Sequence, residues 1–312
     1  VIDIAKDFFK ETIRRIKAIE IQGAENVARY SAKALAYYAR NLDKRLPRKE
    51  FWKRIKNAER TLFNVRPTEP AVYNVLNFML FNLSRKNPEE IVKTINEREK
   101  EAMEHFDNAT KVIAEYGARK IMNGMVIYTH CHSSAVMAVL KRAKDLKKRF
   151  QVDVTETRPH LQGRKSAKEL LHYGIPVKYF IDSAGRQAIK EADMMLIGAD
   201  SVTSTGQVIN KIGSEMFAEI AHLYDVPVYI CTDSWKYDGE SVFGYERNIE
   251  EGPTGVFWKG KPKKLEIHRD LFERIDPELI SGIISELGIY PPEVFASEMK
   301  RNYEWIFKKR KA

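Results

Sequence analysis

The sequence predicts an α/β protein in two parts: an N-terminal all-helical domain (residues 1–116) and a Rossmann-like, doubly wound, mainly parallel sheet domain (residues 117–312). Three observations carry that prediction. Apolar residues recur at three- and four-residue spacing from Asp3 to about Tyr116. Beyond Gly117, short β-branched or aromatic runs alternate with helical stretches. The polar motifs richest in chemistry fall directly after those short runs.

In the first part, Ala5-Phe9-Ile13-Ile16, Ala28-Ala32-Leu35 and Ile91-Ile95 each place apolar side chains on one helix face. Pro67 and Pro70 break the pattern into segments, and Gly23 interrupts it between two helices. The region is expected to form a helical bundle or cap.

In the second part, strands are expected at Val126–Thr129, Val152–Thr155, Val177–Ile181, Met194–Ile197 and Val228–Cys231. Strands separated by helices argue for right-handed crossovers and a parallel sheet. Ligands of such sheets lie beyond the C-terminal strand ends. There the chain carries THCHSS, ETRPHLQGR, DSAGR, GADS and TDSWK, in that order. Helices are expected over Ala135–Leu146 and Glu215–His222, the latter opened by a Gly206–Ser214 loop. Residues Tyr237 to Pro262 read as an irregular, glycine-bearing excursion.

Composition narrows the function classes. A content of 44% hydrophobic and 31% charged residues describes a soluble globular chain with core enough to fold without staples. Its two cysteines, Cys131 and Cys231, form no C-x-x-C pair, which argues against a disulfide scaffold or structural zinc. No leader pattern opens Val1-Ile2-Asp3-Ile4 and no stretch approaches a membrane span, so a cytoplasmic protein that does not engage a membrane is expected. The net charge of +10 and pI near 9.3 are compatible with phosphorylated ligands or a lysine-rich surface. Acidic residues interrupt the basic runs, and no nucleic-acid motif or interleaved aromatics accompany them. Nucleic acid is therefore not the expected partner.

Cys131 is the most informative residue. It stands between a strand pattern and a helical one, where helix N–H groups and the positive dipole end favour a thiolate. Cys231 extends an apolar run and is expected in the core. His130 and His132, in extended backbone, would point away from the Cys131 side, which argues against a metal cluster. Asp200 ends the fourth strand and so reaches the same crevice, where a carboxyl group serves as acid or proton shuttle. Titratable groups converging on one crevice are minimum equipment for moving protons between carbon and oxygen. Asn210 and Lys211, in GQVINKIGS, suit a phosphate or enediolate oxygen, and Arg158, Arg164 and Arg186 add cations at neighbouring strand ends. A dinucleotide site is not indicated, because G-x-G-x-x-G is missing after the first strand.

Together THCHSS, ETRPHLQGRKSAKEL, GADSVTSTGQVINKIGS and the closing GIYPPE resemble the superfamily that joins sugar-phosphate aldose–ketose isomerases to the regulatory subunits of translation initiation factor 2B. IQGAENVAR and Asn64-Val65-Arg66-Pro67-Thr68 extend the match over nearly the whole chain. Within it, the sequence looks most like the archaeal ribose-1,5-bisphosphate isomerases. That resemblance implies catalytic roles for Cys131 and Asp200 and a substrate site lined by Gln22, Gly23, Ala24, Glu25 and Arg66, with Ser133, Arg158, Asn210, Lys211 and Lys236. Gln22 stands where family isomerases commonly carry arginine.

The implied reaction converts ribose 1,5-bisphosphate to ribulose 1,5-bisphosphate through a cis-enediol, in AMP salvage, with neither cofactor nor metal. The implied assembly is a homohexamer, a trimer of dimers. Two alternatives share the resemblance. One is methylthioribose-1-phosphate isomerase, which has both catalytic residue types but needs an apolar pocket for its thioether. The other is a regulatory scaffold that binds initiation factor 2 and has no use for the catalytic pair.

Overall fold

The computed structural model describes residues 4–18, 20–21 and 23–307 of the chain. It divides into two compact units, one formed by residues up to Asp107 together with those from Lys300 onward, the other by Asn108–Met299.

The first unit is helical: α1 (Ile4–Lys17), α2 (Ala24–Asn41), α3 (Arg48–Phe63), α4 (Pro70–Leu80) and the greater part of α5 (Pro88–Lys120). The buried face of α2 is mostly alanine, at positions 24, 28, 32, 34, 36 and 39, and such short side chains let α4 approach closely. Pro70 sits at the first turn of α4, where its missing N–H costs nothing. At the other end of α4, the Arg98 guanidinium donates to the carbonyls of Phe78 (3.0 Å) and Phe81 (2.7 Å). A cation there satisfies orphan acceptors and complements the negative dipole end.

The second unit alternates strand and helix: β1 (Val126–Thr129), α6 (Ser134–Asp145), β2 (Gln151–Thr155), α7 (Gln162–His172), β3 (Val177–Phe180), α8 (Gly185–Lys190) and β4 (Met194–Gly198). It continues through β5 (Ser201–Val202), β6 (Val208–Lys211), α9 (Ser214–Leu223), β7 (Val228–Cys231), α10 (Thr254–Phe257), β8 (Phe272–Ile275), β9 (Gly282–Ser285), β10 (Gly288–Tyr290) and α11 (Pro292–Asn302). The main sheet has seven strands in the order β10-β9-β7-β4-β1-β2-β3, parallel except for β10. Central strand β4 (MMLIG) is buried along its whole length, as a strand covered on both faces must be, whereas edge strand β3 is only partly covered. Ile127, Val152, Val154, Leu196 and Met194 join Val136, Val139 and Leu140 of α6 in the core between sheet and helices.

The five expected strands occur within a residue of their expected ends, and the doubly wound α/β class holds. One element departs from expectation. The segment expected as a loop before α9 contains β6, which pairs antiparallel with β5 and β8 in a separate three-stranded sheet. A hairpin closes it at Gly206, whose φ of +83° suits glycine. The 237–262 excursion holds only a single-turn helix, α10, and a short tight turn at Gly239–Phe243. A buried pair between Asp238 and Arg247 (2.8 Å) ties its start in place. Among the described residues, no helix is long and apolar enough to cross a membrane.

Candidate active site

Strand order decides which motifs meet. From β1 the chain winds outward through β2 and β3, then returns to lay β4 on the other side of β1, so the winding direction reverses between these two strands. A crevice opens at such a switch point, outside the carboxyl ends. β1 and β4 are parallel neighbours, with Ile127 opposite Met194 and Tyr128 opposite Met195. Cys131 lies two residues beyond the end of β1 and Asp200 two residues beyond the end of β4. Both Asp200 and Lys211 act electrostatically on the Cys131 thiol, in opposite directions.

Cys131 is held at each of its polar atoms by the connection that follows β2. Its backbone N–H donates to Thr157 Oγ1 (2.8 Å), its carbonyl accepts from Ser166 Oγ (2.7 Å), and its Sγ donates to Gln162 Oε1 (3.3 Å). These bonds keep a non-glycine residue at φ +70°, a left-handed conformation that costs about 1–3 kcal/mol. Thr157 (φ +63°) and Leu161 (φ +55°) in the gripping connection share that strain, which clusters where function needs geometry. Gly163 allows the grip. A Cβ there would lie 1.8 Å from the Thr155 carbonyl oxygen, so only glycine lets α7 start against the end of β2.

Three sequence expectations are corrected here. The backbone at Cys131 is left-handed rather than extended. Nor does the residue open the helix: Ser133 is the N-cap of α6 and accepts from Val136 N–H (3.4 Å). At 9% exposure the dominant influence on the thiol is burial, which pushes its pKa up to about 11 despite the lowering effect of Lys211. The resting group is a neutral thiol, not the expected thiolate.

His130 organises the floor of the crevice. Its Nε2 lies 3.0 Å from the Ile212 carbonyl oxygen, which can only accept, so Nε2 carries the proton. Burial lowers its pKa to about 4, leaving the ring neutral and Nδ1 an acceptor for the Thr155 hydroxyl at 2.7 Å. Thr155 Oγ1 in turn accepts from the Tyr128 hydroxyl at 3.1 Å. This chain ties the ends of β1 and β2 to the turn after β6. Gly213, at φ +99°, leaves room there: a Cβ would meet His130 Nε2 at 3.2 Å. His132 instead turns outward to Glu169 (2.9 Å), which also accepts from Lys141.

The β5–β6 hairpin delivers the remaining polar groups. Asp200 N–H donates to the Ile209 carbonyl (2.9 Å), so the two residues after Ile209, Asn210 and Lys211, emerge beside Asp200. Asn210 donates to Ser214 Oγ (3.0 Å), and the Lys211 ammonium lies 3.9 Å from the Phe272 ring centroid. From the end of β7, buried Lys236 reaches back to donate to the Ala199 carbonyl (2.7 Å), adjacent to Asp200. Ser133 presses on the end of β4, where a Cβ at Gly198 would be 2.5 Å from its Oγ.

Cys131, Ser133, Asp200, Asn210, Lys211 and Lys236 therefore gather at neighbouring strand ends. Arg158 is exposed and its guanidinium donates to the Phe257 carbonyl (3.1 Å) of the excursion. Arg164 and Arg186, expected as crevice cations, instead bond the hydroxyls of Tyr179 (3.3 Å) and Tyr224 (2.9 Å) on the exterior. Gly23, Ala24, Glu25 and Arg66 belong to the helical unit. Gly23 is the N-cap of α2 (φ +83°), Glu25 pairs with Arg29 (2.8 Å), and Arg66 pairs with Glu69 (3.0 Å). Gln22 lies outside the described residues. Cys231 is fully buried in the core, as expected.

Sequence reasoning missed Gln162, Thr157, Ser166 and the role of His130. The signal available was the QGRKS spacing: positions 162 and 166 lie on one helix face, aimed at whatever the preceding strand end presents. The assembled site brings a thiol and a carboxyl group to neighbouring strand ends, with the buried ammonium groups of Lys211 and Lys236 on the same side of the sheet. That suits proton transfer on a polyanionic substrate.

The Initiation factor 2 subunit family matches residues 20–292. The chain is 38% identical to ribose 1,5-bisphosphate isomerase from Pyrococcus furiosus, over 98% of this chain and 97% of that protein. It is also 38% identical to ribose 1,5-bisphosphate isomerase from Thermococcus kodakarensis, over 96% of this chain and 95% of that one. Among solved structures it is similar to the translation initiation factor eIF-2B of Pyrococcus horikoshii, with a TM-score of 0.78 and 28% identity over 91% of this chain and 97% of that chain.

Proposed function

The chain belongs to the initiation factor 2 subunit family, and we infer that it is an aldose–ketose isomerase converting ribose 1,5-bisphosphate to ribulose 1,5-bisphosphate. The observation that supports this reading is the placement of Cys131 and Asp200 just beyond the ends of the adjacent parallel strands β1 and β4, where the charges of Asp200 and Lys211 both act on the thiol.

The chemistry follows from the substrate. Its anomeric phosphate blocks a free aldehyde, so the furanose ring must open while C2 loses its proton. Asp200 first takes the Cys131 thiol proton, giving a thiolate and a carboxylic acid. The acid protonates the ring oxygen as the C1–O4 bond breaks, and the thiolate removes the C2 proton, leaving a cis-enediol that carries the phosphate on O1. Asp200, again a carboxylate, then accepts the O2 proton as the ketone forms, and the thiol returns its proton to C1. The pair is then a thiolate and a carboxylic acid, and return of the proton from Asp200 to sulfur restores the resting thiol and carboxylate. Lys211, Lys236 and Asn210 supply cationic and amide donors for phosphate and enediolate oxygens. Ser133 and Arg158 extend the proposed substrate contacts in this unit. On the resemblance alone, so do Gly23, Ala24, Glu25 and Arg66 in the helical unit.

Incubating the pure protein with ribose 1,5-bisphosphate and following ketose formation by NMR tests the proposal. Cys131→Ser and Asp200→Asn should each lower turnover by about 100-fold or more, the usual scale for general acid–base groups. Turnover within a few-fold of the parent in both variants would remove the pair from the mechanism. Competition with methylthioribose 1-phosphate separates the substrates, and a pull-down of initiation factor 2 without any turnover would favour the scaffold. We further place the reaction in cytoplasmic AMP salvage and the chain in a homohexamer, for which light scattering gives the mass.

A further inference from the structure

We propose that Gln162 is a catalytic residue: its side-chain amide attends the Cys131 sulfur in both protonation states, accepting from the thiol through Oε1 and, after a half-turn, donating to the thiolate through Nε2. This rests on the isomerase reading above, in which the sulfur alternates between the two states in every turnover.

Geometry supports the assignment. Gln162 Oε1 accepts from Cys131 Sγ at 3.3 Å, and among the described residues its amide has no other hydrogen-bond partner, so rotation about its terminal bond breaks no hydrogen bond besides the one to sulfur. The Cys131 backbone is fixed independently: Ser166, one turn further along α7, holds its carbonyl, and Thr157 holds its N–H. The same connection and helix therefore position both the cysteine backbone and the amide that meets its sulfur. A primary amide is the only neutral side-chain group with both an acceptor and a two-proton donor on one rotor. A carboxylate would accept from the thiol equally well but would repel the thiolate. Rotation moves no proton, so the transfer from sulfur to Asp200 keeps its balance. Lys211 offers charge but lies over the Phe272 ring, which leaves Gln162 the adaptable partner at the sulfur.

The test separates thiol ionisation from turnover. Cys131 alkylation by iodoacetamide is followed by peptide mass spectrometry from pH 7 to 9.5 in the parent, Gln162→Glu and Gln162→Met, alongside kcat and KM for ribose 1,5-bisphosphate. Gln162→Glu should slow alkylation at pH 8 by about tenfold, about one pH unit of upward shift. It should lower kcat by about tenfold or more with KM within about threefold, since the lost contact is made to the sulfur and not to the phosphates. Gln162→Met keeps length, loses both bonding roles and should fall between. Alkylation rates within about twofold of the parent in both variants overturn the proposal, whether or not the parent turns over. Slowed alkylation with an inactive parent upholds the amide–sulfur pairing and overturns the isomerase reading on which its catalytic role depends.

Discussion

Asp200→Asn should change the shape of the pH–rate profile and not only its height. The pair works with a single proton, held on sulfur at rest and on the carboxyl group at the moment of attack. Passing it between them neither consumes nor releases a proton. In the parent, kcat/KM, which reports ionisations of the free enzyme, is therefore flat across neutral pH and falls as pH approaches about 11, where the thiol proton escapes to solvent. An asparagine cannot store that proton. In the variant the thiol must surrender it to water, so residual turnover tracks the thiolate fraction. With a thiol pKa of about 11, that fraction is about 1 in 10,000 at pH 7 and about 1 in 100 at pH 9, a rise of about 100-fold. The Asp200 charge helps push the thiol up, so its removal brings the midpoint below 11 and ends the limb earlier. The assay is initial-rate ketose formation from pH 6.5 to 9.5 in overlapping buffers. A flat profile in the variant, or a parent profile already climbing tenfold per unit at neutral pH, would refute the internal transfer.

Three further outcomes follow from packing and charge. Buried His130 has its pKa lowered from 6.5 to about 4, so as pH falls through that window the unfolded chain binds a proton that the native one refuses. Stability should decline by about 3 kcal/mol towards pH 4, and urea titrations of His130→Gln at pH 7 and 4.5 should lose that dependence; parallel curves would count against it. Gly163→Ala drives a Cβ to within 1.8 Å of the Thr155 carbonyl oxygen, and should cost about 3 kcal/mol or more by denaturant unfolding while loosening the Gln162 and Ser166 grip on Cys131. Arg98→Met frees the α4 carbonyls and should cost about 2 kcal/mol with kcat within about twofold, since its partners all lie in the helical unit. A kcat loss matching that of the catalytic variants would contradict that assignment.

Much of the architecture was legible locally. The five short apolar runs alternating with helices, and the placement of Cys131 and Asp200 after two of them, need only a short window of neighbours, whereas the boundary expected at residue 117 falls inside α5, and the compact units instead divide after Asp107. Strand β6 escaped because Val208–Lys211 is short and ends in polar residues, and only its partners β5 and β8 make it a strand. Arg164 and Arg186 were expected at the crevice because a strand-end position does not specify where a long side chain points; tyrosines outside the site captured both.

The residue types available for chemistry, and the strand ends on which they stand, were determined by the sequence alone, because alternation and turn propensity act between residues close in the chain. That β4 lies against β1, that Gln162 reaches the sulfur from α7, and that the thiol rests protonated were decided only by tertiary structure. Strand order and desolvation depend on groups tens of residues apart, and burial outweighed the local helix terminus that had pointed to a thiolate.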